Sequence, residues 1–296
     1  MLDRGLALCT CRAGTLSVGL RAVAHPFLGS IPSLRGGPPA TRPPLSRHQR
    51  TFNNMSVAAA KKAGAGDDTA GPAVAEAGFR EKKMALRKSI KAELKAMSES
   101  AVGAASTAVA ERLLATPQLA AGSGGGGGGV SVYLSMPGEL GTAAIVSELF
   151  KRGKKIYIPK VLGPASADMR MFPLQSEEEV ASFPLTKWKI PEPSAELVLS
   201  REDGVFTGDI DVVVVPGMAF DERCNRLGHG KGYYDCFFER VNKANAEKGK
   251  PPPVTLGVCF DEQVVDCVPT SSTDVPLDFV LTPSRTFQRI AETKDP

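Results

Sequence analysis

The chain predicts an α/β fold, an open and mostly parallel sheet with helices on both faces. Two observations lead there. Strand-like and helix-like segments alternate from about residue 130 onward, the pattern of parallel strands joined by crossover helices. One of the strands, Asp209-Ile210-Asp211-Val212-Val213-Val214-Val215-Pro216, is a continuous β-branched run, as expected of a strand buried on both faces. A hydrophobic content of 42% is ample for the core such a sheet needs.

The folded part is expected to begin near Phe79. Leu86, Ile90, Leu94 and Met97 fall at helical spacing and form one apolar stripe opposite a basic face. Ser98 suits the cap of a second helix through Val102, Val109, Leu113 and Leu114, stopped by Pro117. Gly124 to Gly129 is an unpunctuated glycine run without fixed geometry, read as a loop insertion. Val130 to Leu134 reads as a strand, Thr142 to Lys151 as an amphipathic helix, and Lys155 to Pro159 and Met169 to Leu174 as strands. Ser176 to Phe183 reads as a short helix with acidic residues at its N-terminus. Asp235 to about Lys248 is helical, and Val254 to Phe260 and Phe279 to Leu281 are strands. Residues 79–296 form one domain on this reading.

The charge is uneven. Splitting the 36 Lys+Arg and 32 Asp+Glu at residue 78 leaves 27 against 28 after it, so the body is net −1. A near-neutral body argues against nucleic-acid binding, which needs clustered cations on one face. The basic excess belongs to residues 1–54, which hold seven arginines and no lysine. That is the composition of an organelle-targeting presequence; the alternative is an extension ahead of a start at Met55. The first option places the protein in the mitochondrion and the second in the cytoplasm. Residues 55–78 read as a disordered tail. No apolar run approaches the ~20 residues that span a bilayer, so no membrane is expected. Six cysteines without C-x2-C spacing suggest reduced thiols rather than a disulfide framework or a zinc site.

The segment with most chemistry is Arg226-Leu227-Gly228-His229-Gly230-Lys231-Gly232-Tyr233-Tyr234-Asp235. Glycines at every second position free the backbone to turn its amides inward, and the helix that follows offers unpaired N–H groups to an anion. Lys231 adds a point charge and Arg226 a planar fork. The loop suits a polyphosphate, although it is neither the P-loop nor the dinucleotide fingerprint. A bare glycine turn for tight strand–helix packing is the plain alternative. Asp235, in the first helical turn, is a candidate magnesium ligand or a partner for the helix dipole. His229 is the only histidine outside the leader, so a Ser-His-Asp or Cys-His mechanism has little material.

This loop, with Val215-Pro216-Gly217-Met218-Ala219-Phe220-Asp221 ahead of it, closely resembles the signature of the 5-formyltetrahydrofolate cyclo-ligases. The resemblance continues in Lys82-Lys83-Met84-Ala85-Leu86-Arg87, in Tyr133-Leu134-Ser135-Met136-Pro137-Gly138-Glu139 and in Lys187-Trp188-Lys189-Ile190-Pro191-Glu192-Pro193, over about residues 79–283. It implies a Rossmann-like three-layer α/β/α fold and an ATP- and magnesium-dependent closure of 5-formyltetrahydrofolate to 5,10-methenyltetrahydrofolate, releasing ADP and phosphate. By motif match, Lys83, Met84, Ala85, Leu86, Arg87 and Arg226 through Tyr234 are expected to contact ATP. The folate is expected against Arg87, Leu134, Glu139, His229, Gly230, Lys231, Gly232 and Tyr233. Trp188 is expected either on the pterin or in the core. Lys231, Arg226 and Arg87 would serve the phosphoryl step. Asp235 and Asp274 would hold the metal, with Asp278 close enough in sequence to compete for the second position. His229 stands where relatives often carry Arg. In the implied chemistry the γ-phosphoryl group passes to the formyl oxygen, nitrogen 10 attacks that carbon, and phosphate departs, a sequence that needs positioning and charge neutralisation above all. A monomer acting on 5-formyltetrahydrofolate, possibly polyglutamylated, is expected. The competing readings are a non-catalytic nucleotide- or folate-binding relative, which would be expected to lose the phosphate cations, and a sugar-phosphate isomerase, which needs no ATP.

Overall fold

Ser98 does what its position predicts: its side chain accepts a hydrogen bond from the Ala101 amide at 3.2 Å and starts a helix. The computed structural model describes residues 72–120, 128–187, 190–271 and 274–290. The leader, the tail to residue 71, most of the glycine run and Trp188 lie outside the described residues. Helix α1 (Pro72–Lys95) begins earlier than the expected Phe79, and α2 (Glu99–Leu114) follows the Ser98 cap. Then come β1 (Gly129–Ser131), α3 (Ala143–Lys151), β2 (Lys155–Val161), β3 (Met169–Leu174) and α4 (Glu177–Ser182). The chain continues through α5 (Ala195–Leu199), α6 (Gly204–Thr207), β4 (Ile210–Val215), β5 (Ala219–Asp221) and β6 (Arg226–Leu227). It closes with α7 (Tyr233–Glu247), β7 (Val254–Val258), β8 (Val264–Val265), β9 (Phe279–Leu281) and β10 (Thr286–Gln288).

The main sheet has the order β10-β9-β7-β4-β1-β2-β3. Its middle strands, β9 to β2, are parallel, and antiparallel β10 and β3 close the two edges. The chain places β2 on one side of β1 and β4 on the other. The crevice beyond the carboxyl ends of β1 and β4 is therefore a topological switch point, where open α/β sheets bind ligands.

Alternation along β4 explains both layers. Val212 and Val214 join Val109 and Leu113 of α2 and Ile145 and Leu149 of α3 in one cluster. Val213 and Val215 face the other way, onto Phe237, Phe238 and Val241 of α7. Each such side chain contributes about 1.5–3 kcal/mol by leaving water, which is why the β-branched run was readable as a central strand.

A second sheet, β6-β5-β8, lies outside this frame. Between β4 and the glycine loop the chain makes the β5–β6 hairpin of this sheet. The apolar stripe of α1 docks on it: Leu86 and Ile90 are buried with Met218, Ala219, Leu227 and Val268. That contact aims the next face of α1 at the loop.

Candidate active site

After β6 the chain runs through Gly228 to Gly232 and enters α7 at Tyr233. Gly230 has φ +92° and Gly232, the N-cap of α7, has φ +70°. Both lie in the left-handed region that L side chains adopt at a cost of roughly 1–2 kcal/mol. A Cβ on Gly230 would also stand 3.2 Å from the Arg87 guanidinium, so glycine lets the backbone and the cation share the space. The first amides of α7 have no intrahelical partner and sit at the positive end of its dipole.

Helix α1 supplies cations from more than 140 positions earlier in the chain. Arg87 Nε donates to the Gly228 carbonyl at 2.8 Å, across a separation of 141 residues. Lys83 Nζ donates to Asp274 Oδ2 at 2.7 Å. Met84 is 61% exposed beside them. Leu86 and Leu227, expected at the nucleotide, are buried in the α1 contact, so their side chains hold the wall of the site from behind.

Arg226 is more enclosed than a free phosphate fork. Its side chain is 7% exposed, its Nη2 lies 3.3 Å from Asp235 Oδ1, and its guanidinium stands 5.3 Å from the centre of the Tyr234 ring. Burial pulls its pKa down, and Asp235, Tyr234 and Asp274 oppose that. Arg87 is likewise lowered by burial and supported by Asp274. Asp235 and Asp274 thus act on one guanidinium. Burial works to raise the Asp274 pKa, but hydrogen bonds from Lys83 and Ser271 leave it below the ordinary carboxylate value.

Of the two aspartates that competed for a metal role, Asp278 is committed elsewhere: it accepts from the Thr255 amide and hydroxyl, both at 2.9 Å, and pairs with Arg289 at 2.6 Å. Asp274 faces the site. No group of three His, Cys, Asp or Glu side chains converges among the described residues, but magnesium uses one or two carboxylates plus substrate phosphates and waters, and Asp235 with Asp274 is a donor set of that kind. Arg226 Nε and Tyr234 Oη are buried without a hydrogen-bond partner among the described residues, and an anionic ligand would complete donors of that kind.

The loop after β1 forms the facing wall. Glu139 Oε2 accepts from the Met136 amide at 2.9 Å, and Glu139 Oε1 lies 3.7 Å from His229 Nε2. Leu134 is half-buried, while Lys231 and His229 are exposed. Lys231 makes no hydrogen bond or ion pair among the described residues.

Three supports escaped the sequence reading. Asp221, buried at the hairpin turn, accepts from the amides of Arg223, Asn225 and Val268, each at 3.0 Å. An aspartate heading a turn was the available signal. Gln263 Nε2 donates to the Gly217 carbonyl at 2.7 Å. Tyr233 Oη donates to the Gly163 carbonyl at 3.2 Å, tying the β2–β3 connection to the loop. Neither of these has a local signature.

Comparison with known proteins bears on this arrangement. The family model "5-formyltetrahydrofolate cyclo-ligase family" matches residues 79–283. The chain is 34% identical over 200 residues to the Mus musculus 5-formyltetrahydrofolate cyclo-ligase, covering 67% of this chain and 92% of that protein. It is 29% identical over 216 residues to the Arabidopsis thaliana "5-formyltetrahydrofolate cyclo-ligase, mitochondrial", covering 70% of this chain and 75% of the relative. The solved structure of Aquifex aeolicus 5,10-methenyltetrahydrofolate synthetase superposes with a TM-score of 0.55 at 26% identity, covering 72% of this chain and 96% of that one. The family match spans the glycine loop and the cationic helix docked against it, and with the relatives' identity it leads to one conclusion: the chain belongs to the 5-formyltetrahydrofolate cyclo-ligase family and is a ligase of folate one-carbon metabolism.

Proposed function

We propose that this site closes 5-formyltetrahydrofolate to 5,10-methenyltetrahydrofolate at the expense of ATP, releasing ADP and phosphate, with magnesium held by Asp235 and Asp274. The observation that carries the reading is the bond from Arg87 Nε to the Gly228 carbonyl, which brings a cation of α1 against the glycine loop and supports a shared anion site there. A polyphosphate is the ligand that needs both.

The roles divide by position. The amides of the loop and of the first turn of α7 hold phosphate oxygens, and Lys231, exposed and unpaired among the described residues, is free to follow the transferred group. Arg87 and Lys83 neutralise charge from the α1 side. Arg226, enclosed by Tyr234 and Asp235, acts as a fixed charge that orients the loop. A bound magnesium ion would supply charge neutralisation at the phosphates. Leu134 and Glu139 line the folate side, with His229 between the two loops. The formyl oxygen takes the phosphoryl group, nitrogen 10 adds to the formyl carbon and loses its proton, and the carbon–oxygen bond breaks to release phosphate. The protein contributes orientation and electrostatics, the main requirements of phosphoryl transfer.

The test is the appearance of the methenyl chromophore with 5-formyltetrahydrofolate, ATP and magnesium. Lys231→Ala and Asp235→Ala are each expected to lower the rate at least tenfold while remaining folded. A folded wild type with no ATP-dependent signal sinks the proposal. The Arg-rich composition of residues 1–54 and the mitochondrial relative support delivery of the full chain to mitochondria, with a chain begun at Met55 staying in the cytoplasm. A reporter fused behind residues 1–54 that stays diffuse would remove that part.

A further inference from the structure

Helix α1 carries more cations than the site uses. Residues 79–95 hold seven Lys+Arg against two Asp+Glu, and taking these from the 27 and 28 of the body leaves 20 against 26 for residues 96–296, a net −6. The positive charge of the body is thus concentrated on one helix, while the remainder repels an anion. Two of the seven, Lys83 and Arg87, face Asp274 and the glycine loop. Lys88, Lys91 and Lys95 are exposed and make no hydrogen bond or ion pair among the described residues.

Helical geometry puts these three lysines on one flank of α1. At about 3.6 residues per turn they lie about 40–100° round the axis from Arg87, on the side away from the apolar stripe of Leu86, Ile90 and Leu94. At about 1.5 Å of rise per residue they stand about 2, 6 and 12 Å along the axis from it. The Debye length at physiological salt is about 8 Å, so their field reaches the mouth of the site although none of them is bonded to a group of it. Lys88 and Lys91 are like-charge neighbours at i,i+3, and Lys91 and Lys95 at i,i+4, spacings that cost helix stability. The fold therefore gives no account of the flank.

Resting on the reading of the glycine loop and α1 as an ATP site, we infer that Lys88, Lys91 and Lys95 form an electrostatic approach surface that speeds the capture of ATP. They draw the polyanion along α1 toward Arg87, and the bound complex owes them little. A field of this kind raises the association rate and fades with salt, whereas contacts in the bound state slow dissociation. The three lysines are residues of the encounter, distinct from Lys83 and Arg87, which hold the phosphates once bound.

The experiment follows the association of methylanthraniloyl-labelled AMP, ADP and ATP with the full chain by stopped-flow fluorescence, at about 20 mM and about 500 mM salt. Lys88→Gln/Lys91→Gln/Lys95→Gln, conservative in helix propensity, is expected to slow ATP association about three- to tenfold at low salt. ADP should be slowed less and AMP least. Dissociation, and turnover at saturating substrate, should stay within about twofold of wild type. At high salt the two proteins should converge, and Lys88→Arg/Lys91→Arg/Lys95→Arg should keep the wild-type rate at both. A slowing equal for AMP and ATP, a slowing that persists at high salt, a change confined to dissociation, or no change in any rate would each overturn the steering and leave the site itself in place. Wild-type protein that binds no ATP would overturn the ATP-site reading and the steering with it.

Discussion

Lys83 Nζ and Asp274 Oδ2 lie 2.7 Å apart although 191 positions separate them in the chain. The pair pins α1 to the segment that leads into β9, and it joins a cation and a carboxylate that the proposed chemistry uses for different partners. Asp274 also accepts from the amide and hydroxyl of Ser271 at 2.6 and 2.8 Å. With its folded pKa held below the ordinary value, its contribution to stability is present above about pH 4 and is lost as the pH falls through the lowered pKa. Asp274→Asn should therefore lower the urea midpoint at pH 7 and lose its effect at acid pH. A midpoint difference that persists unchanged at low pH would show that the pair adds nothing.

The α1 contact offers a second test. Ile90 is 2% exposed and packs on the small sheet. Ile90→Ala should cost about 2–5 kcal/mol and reduce ATP affinity as well, because Lys83 and Arg87 ride on the same helix. Nucleotide binding unaffected at full occupancy of the folded state would separate α1 from the site.

Gly230→Ala combines strain at φ +92° with a methyl group 3.2 Å from Arg87. Its expected signature is a rise of about tenfold or more in the KM for ATP with a small loss of global stability, of about 1 kcal/mol. Steady-state kinetics beside thermal melting distinguishes this from a plain folding defect.

Arg226 is expected to resist even conservative change. Arg226→Lys keeps the charge but loses the planar contact with Tyr234 and the geometry toward Asp235. We expect a loss of stability of about 1–3 kcal/mol, measured by denaturant unfolding, together with lower activity. Wild-type values for both would reduce Arg226 to a generic cation.

The described cysteines should differ in reactivity. Burial, aided by Asp221, pushes the Cys224 thiol up to about 11, and burial raises Cys259 well above its usual value. Cys267 is exposed. Iodoacetamide at pH 7.5 should label Cys267 first and spare Cys224 and Cys259 in the native protein, as read by peptide mass spectrometry.

What the sequence by itself determined is local or periodic. The Ser98 cap, the short acidic helix after Ser176 and the strand Met169–Leu174 were legible because each rests on residues within one turn or one alternation. The glycine loop was legible too, since backbone freedom and a following helix are written in adjacent residues. The short strands β5, β6 and β8 were not, because two or three residues without an apolar run carry no period and become strands only by pairing with one another. The same reason hid the enclosure of Arg226 and the commitment of Asp278 to Thr255 and Arg289. Only the tertiary structure brought Arg87 onto Gly228 and Lys83 onto Asp274. A side chain's reach is a few ångströms, and which residues fall within it is decided by how α1 buries Leu86 and Ile90 on a sheet that the sequence does not announce.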